Sequence, residues 1–145
     1  MTTWLIGNYQ DVWRAAVAGA PVTDQMHQYT LSDGNSSRGA AGGSPFRDPK
    51  RLQSYMEQSP IHYAPKVKAP TLVMALTGDY RVPITQAYEF YHALRDNDVP
   101  VQFFAYPLPG HSPTDPVHQR DVDRRWVGWI KQHFEAGTTT AAGER

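Results

Sequence analysis

The 145 residues carry fourteen basic and fourteen acidic side chains, so the formal net charge is zero, and the basic surplus of a nucleic-acid footprint is missing. With 40% hydrophobic and 12% aromatic residues the chain is no disordered polymer, and one domain is the natural reading of its length. It contains no cysteine, which excludes a disulfide framework, a thiolate nucleophile and a cysteine-held metal.

Met1 to Gly7 reads as a short helix with Met1, Trp4 and Leu5 on one face, entered abruptly and without a cap. Ala15 to Gly19 is small and apolar and reads as a tightly covered strand before Pro21. The segment from Gln25 to Gly43 is polar; Gly34 to Gly43 has almost no apolar anchor, and the whole is expected to be a long connection. Asp48-Pro49 opens a helix to about Gln58, with the aspartate as cap and proline in the first turn. Ser59-Pro60 closes it, and Ile61 to Lys68 is an irregular approach.

Pro70 to Leu76 comes next, and six of its seven residues are apolar or proline. Without polar alternation it is expected to be a strand buried on both faces. It stops at Thr77-Gly78, and Asp79 is the next residue. A carboxylate at the C-terminal end of a buried parallel strand stands where open α/β sheets place functional groups. The helix after Pro83 has Ile84, Ala87, Tyr88, Tyr91 and Leu94 as its stripe, and ends at Asn97-Asp98. Val101 to Tyr106 is the next strand. A proline-rich loop holding His111 precedes a final helix from Val117 to Phe134, with Val122, Trp126, Trp129, Ile130 and Phe134 expected inward. Residues 1–135 form the domain and 136–145 a flexible tail. The alternation of helix and strand makes the fold α/β.

Asp79 after one strand and His111 after the next are the last two members of a Ser…Asp…His order. The ordered set Ala18-Gly19-Ala20-Pro21-Val22-Thr23-Asp24, Gly42-Gly43-Ser44-Pro45-Phe46, Ser59-Pro60-Ile61, Gly78-Asp79-Tyr80-Arg81-Val82-Pro83, Tyr106-Pro107 before Gly110-His111, and Arg120-Asp121-Val122 is specific enough to name a family. The chain resembles the C-terminal part of the catalytic domain of the prolyl oligopeptidase family of serine peptidases, and is most similar to the dipeptidyl-peptidase and acylaminoacyl-peptidase branch. The resemblance runs from Met1 to Phe134. It implies a partial α/β-hydrolase fold, with about three mostly parallel strands, flanking helices, and no N-terminal half of the sheet. It makes Asp79 the triad acid and His111 the general base, and implies no cofactor and no metal.

No Gly-x-Ser-x-Gly elbow occurs in the 145 residues, so the resemblance places the nucleophile about five residues before Met1 and the chain reads as truncated. The expected activity is hydrolysis of short peptides, with esters as side substrates. A catalytically inactive binding or assembly fragment, or an esterase with a non-standard nucleophile, stands as the alternative. Asp79 could instead cap the next helix, and His111 could be a surface histidine. Arg81 is expected to support the acid loop rather than touch substrate. Ser44 and Ser112 are poor substitute nucleophiles. His111, Asp115 and His118 as a metal cluster are disfavoured, because Pro113 and Pro116 break the helix that would align them. Tyr88, Tyr91, Trp126 and Trp129 are expected to be core.

No apolar run approaches 18 residues, so no membrane span is expected. No signal-peptide pattern is read at the start. The compartment stays open, with the cytoplasm slightly favoured. Partners are a peptide or ester substrate and, through residues 1–20, a second copy: an elbow strand would cover Ala15 to Gly19, and without it that strand is an open edge.

Overall fold

In the computed structural model, residues 1–34 and 43–142 are described, with side chains described as far as residue 135. The expected loop from Gly34 to Gly43 therefore lies mostly outside the described residues. The helices are α1 (Thr2–Asn8), α2 (Gln25–Leu31), α3 (Pro49–Glu57), α4 (Thr85–Asp96) and α5 (Pro116–Ala142). The strands are β1 (Ala16–Gly19), β2 (Thr71–Gly78) and β3 (Val101–Pro109). Short 3-10 turns occupy Gln10–Val12 and Pro60–Lys66.

The sheet has the order β1-β2-β3, and both pairings are parallel. Ala16 lies opposite Thr71, and Thr71 opposite Val101. β2 is buried from Thr71 to Leu76, as expected of a strand covered on both faces. Its side chains alternate. Val73 and Ala75 join Ile6, Ala64, Val67, Phe90 and Leu94 on one side. Leu72, Met74 and Leu76 join Tyr106 and Trp129 on the other. Helices α1 and α4 thus cover one face and α5 the other, a layered α/β arrangement.

Several local expectations need correction. The stretch expected to be loop contains α2. Asp24 is its cap, and its carboxylate accepts from the backbone N–H groups of Met26 and His27; a good cap outweighs a weak apolar pattern here. Pro60–Lys66 is regular where irregular chain was expected. In α1 the buried residues are Thr3, Ile6 and Gly7, not the Met1–Trp4–Leu5 face.

In α4 the buried face is Gln86, Ala87, Phe90 and Leu94. Tyr88 and Tyr91 sit at its rim, with ring centroids 4.9 and 5.7 Å from that of Phe103 on β3. The stripe is rotated because the row of Ala87, Phe90 and Leu94 meets Val73 and Ala75. In α5 Trp129 is buried, but Trp126 and Phe134 are each 50% exposed. A three-stranded sheet is too narrow to cover the whole helix face. Arg14 lies over the Phe134 ring at 5.7 Å instead. The final helix also continues to Ala142, beyond its expected end at Phe134.

Candidate acid–base site

The C-terminal ends of β2 and β3 meet. Gly78 lies opposite Pro109, and the register shifts between Leu76 and Gly78, so β3 has one residue more than β2 over this interval. The extra residue lets the end of β3 bend over β2. Two glycines make the meeting sterically feasible. A Cβ on Gly78 would lie 2.9 Å from both the Leu108 carbonyl oxygen and Pro109 Cα. Gly110 has φ +83, a left-handed value that glycine adopts freely, and its N–H donates to the Gly78 carbonyl at 3.1 Å.

That turn delivers His111 to Asp79. His111 Nδ1 lies 2.7 Å from Asp79 Oδ2. The Asp79 side chain is 1% exposed and the His111 side chain 51%, so a buried carboxylate holds one edge of a half-open imidazole. Asp79 Oδ1 accepts from the backbone N–H of Arg81 at 2.8 Å and of Val82 at 2.9 Å. This is an Asx-type turn that fixes the carboxylate by its own succeeding backbone. Each carboxylate oxygen is thereby assigned, one to the loop and one to the imidazole.

Arg81 was expected to steady the acid loop. Its backbone N–H does hold Asp79, while its guanidinium turns away and pairs with Asp33 at 2.7 Å. The Arg81 carbonyl accepts from Gln28 Nε2 at 3.0 Å and from Ser32 Oγ at 2.8 Å. Gln28, Ser32 and Asp33 were missed in the sequence, because they lie in the stretch read as polar loop. The available signal was Asp24, a capping residue four positions before Gln28.

Beside a cleft of about 430 Å³ that it shares with Asp33, Asp79 and Arg81, His111 lines two more. One, of about 220 Å³, runs between Met1–Thr3, Gly19–Val22 and Val82. The other, of about 180 Å³, is walled by Met74, Leu76, Tyr106, Ser112 and Val122. Ser112 therefore shares a cleft with His111, but among the described residues no serine hydroxyl hydrogen-bonds the imidazole. The Tyr106 phenol donates to Asp121 Oδ2 at 2.9 Å, and burial, reinforced by that carboxylate, pushes its pKa up to about 12. Asp121 is gripped by Arg125 and Arg124, which hold its carboxyl well below the usual range. The Arg120-Asp121-Val122 motif thus serves the cleft wall.

His111, Asp115 and His118 are divided between two pairs. His118 Nδ1 lies 2.8 Å from both oxygens of Asp115, which also accepts the His118 N–H at the start of α5. This backbone bond, more than the imidazole, holds the Asp115 carboxyl low. A different group, Asp24, His27 and Glu89, brings three potential ligand atoms within 4.8 Å of one another. There His27 Nδ1 lies 2.9 Å from Glu89 Oε2, and burial raises the pKa of Glu89. Nothing in the sequence pattern had marked His27.

Comparison with known proteins agrees with this architecture. The model of the prolyl oligopeptidase family matches residues 1–137. The acylamino-acid-releasing enzyme of Homo sapiens is 33% identical over 135 residues, covering 90% of this chain and 18% of that protein. That of Mus musculus is 32% identical with the same coverage. The solved acylaminoacyl peptidase of Pyrococcus horikoshii superposes with a TM-score of 0.81 at 25% identity, over 90% of this chain and 22% of that one. The chain thus spans about a fifth of the length of these relatives.

Proposed function

Since the chain belongs to the prolyl oligopeptidase family of serine peptidases, we propose that Asp79 and His111 are the acid and general base of an acyl-transfer site for short peptides. In this reading a serine hydroxyl attacks the scissile carbonyl while His111 Nε2 takes its proton. The same nitrogen then protonates the departing amine. A water, activated by His111 in turn, releases the acyl group and regenerates the serine. Asp79 holds the tautomer with the proton on Nδ1 and stabilises the imidazolium that forms. The observation that carries the reading is the 2.7 Å contact between a buried, doubly anchored carboxylate and a half-exposed imidazole.

Because the relatives are acylamino-acid-releasing enzymes, N-acylated peptides are the favoured substrates, with simple esters reacting on the side. The nucleophile is sought outside the 145 residues, since no Gly-x-Ser-x-Gly lies within them. The cleft between Met1–Thr3, Gly19–Val22 and His111 is where it would enter. The test compares hydrolysis of an N-acyl peptide and a chromogenic ester by the 145 residues alone and by the same residues joined behind a Gly-x-Ser-x-Gly segment. Turnover that depends on His111 is expected only in the second. Turnover by the first that is abolished in His111→Ala, or labelling of one of its serines by a phosphonate, would overturn the reading.

A second reading is favoured by the surface at the start of the chain. β1 ends the sheet and has no outer partner strand among the described residues. Nearby, Val12 is 68% exposed and Tyr9 55%. An unpaired edge beside exposed apolar groups invites pairing. On this reading the 145 residues by themselves form a catalytically inactive homo-oligomer through residues 1–20, with the same patch on both copies.

A further inference from the structure

The loop that carries Asp79 has no ladder of its own. Residues 79–83 belong to neither a strand nor a helix, so something else must hold their backbone in place. The peptide joining Arg81 to Val82 is held at both ends. Its N–H, that of Val82, donates to Asp79 Oδ1 at 2.9 Å. Its carbonyl, that of Arg81, accepts from Gln28 Nε2 at 3.0 Å and Ser32 Oγ at 2.8 Å. Among the described residues every peptide bond is trans, and a planar trans peptide points its N–H and C=O in opposite directions. Donors on one side therefore aim the N–H on the other at the carboxylate.

The series continues inward. Gln28 Oε1 accepts from Gln86 Nε2 at 2.8 Å. Gln86 Oε1 in turn accepts the backbone N–H groups of Thr23 and Asp24 at 2.9 and 3.1 Å. Thr23 and Gln86 are fully buried and Gln28 is 7% exposed. Each polar atom named here has a partner, as buried polar atoms require. All bonds run in one direction, from α4 through α2 and the 81–82 peptide to Asp79, so each polarises the next. The ion pair of Arg81 with Asp33 spans the same gap, but both side chains are about half exposed, where such pairs contribute little.

We propose that Gln28 is a positioning residue for Asp79. It acts through the 81–82 peptide, with Ser32 as the second donor, to keep Asp79 Oδ2 on His111. The inference rests on the acid–base reading of Asp79 and His111, but its test needs no turnover. Gln28→Glu, compared at a pH where its carboxyl is ionised, keeps the shape and the acceptor for Gln86 while losing the donor to the Arg81 carbonyl. Ser32→Ala removes the second donor, and Ser32→Thr restores it.

The readouts are the hydrogen exchange of the Val82 amide and the low-field Nδ1–H resonance of His111, both by NMR on the 145-residue chain. Gln28→Glu is expected to speed exchange at Val82 about tenfold relative to amides in α4, as loss of one supporting hydrogen bond allows. The His111 resonance should broaden or move upfield. If Gln28→Glu does not fold, Ser32→Ala gives a smaller change of the same kind, reversed in Ser32→Thr. A folded Gln28→Glu in which Val82 exchange and the His111 resonance match the parent overturns the proposal. So does a rise in exchange shared equally by all slow amides, which would mark a general structural role. Failure of the acyl-transfer test with these NMR shifts present would remove the catalytic reading alone; the reverse result would remove only the role of Gln28.

Discussion

The close backbone approach at Gly78 offers a sharp test. In Gly78→Ala the new Cβ would stand 2.9 Å from the Leu108 carbonyl oxygen and from Pro109 Cα. Both are backbone atoms, so no side-chain rotation relieves the contact. Restoring a separation of about 3.5 Å requires β3 and β2 to part by about 0.6 Å at this point. Overpacking of this kind costs about 1–3 kcal/mol. Stiffening the unfolded chain returns about 0.4–1 kcal/mol, so a net loss of about 1–2 kcal/mol is expected.

The displacement falls on Pro109 and Gly110, which deliver His111. A contact of 2.7 Å lengthened by about 0.6 Å lies at the outer limit of a hydrogen bond. Urea denaturation reads the stability, and the low-field imidazole resonance of His111 reads the contact. A Gly78→Ala protein with the parent's urea midpoint and an unchanged resonance would refute the claim that this close approach builds the site.

The network on the cleft wall predicts a pH dependence. Arg125 and Arg124 hold the Asp121 carboxyl below its ordinary value of 3.8. Its folded pKa is depressed, so its contribution is present above 3.8 and is lost as pH falls through the folded value. Asp121→Asn should therefore unfold at lower urea than the parent near neutral pH, with a gap that shrinks as pH drops below 3.8; a constant gap would contradict the assignment. The open edge of β1 predicts a dimer or larger assembly of the 145 residues in size-exclusion light scattering at tens of micromolar, dispersed by a Val12→Lys and Trp13→Lys double change. A monomer with cooperative unfolding would remove that second reading.

The order of the strands, the central strand and the proximity of Asp79 to His111 were legible in the sequence for a physical reason. A seven-residue run with one polar member, Thr71, fits a strand covered on both faces, and the loop after such a strand in an open sheet carries functional groups. Faces of helices were harder to read. Tyr88 and Phe90 are both aromatic, and only packing against Val73 and Ala75 decides which one is buried. Gln86 illustrates the deeper limit. It lies off the apolar stripe read from the sequence, yet it is fully buried because Thr23, Asp24 and Gln28 satisfy it from across the fold. Partners 58 to 63 residues away leave no local pattern. The helix holding Gln28 was hidden for the same reason: its cap is local, but its purpose is the distant Arg81 carbonyl.

The central claim is that Asp79 and His111 form the acid–base pair of an acyl-transfer site, and one comparison tests it most directly. With a Gly-x-Ser-x-Gly segment joined before Met1, hydrolysis of an N-acyl peptide is measured for the parent, Asp79→Asn and His111→Ala. The expected result is a fall in kcat of about 10⁴-fold for Asp79→Asn, the scale on which losing the correct imidazole tautomer acts, and at least as large a fall for His111→Ala. Folded variants that keep kcat within about tenfold of the parent would contradict the account.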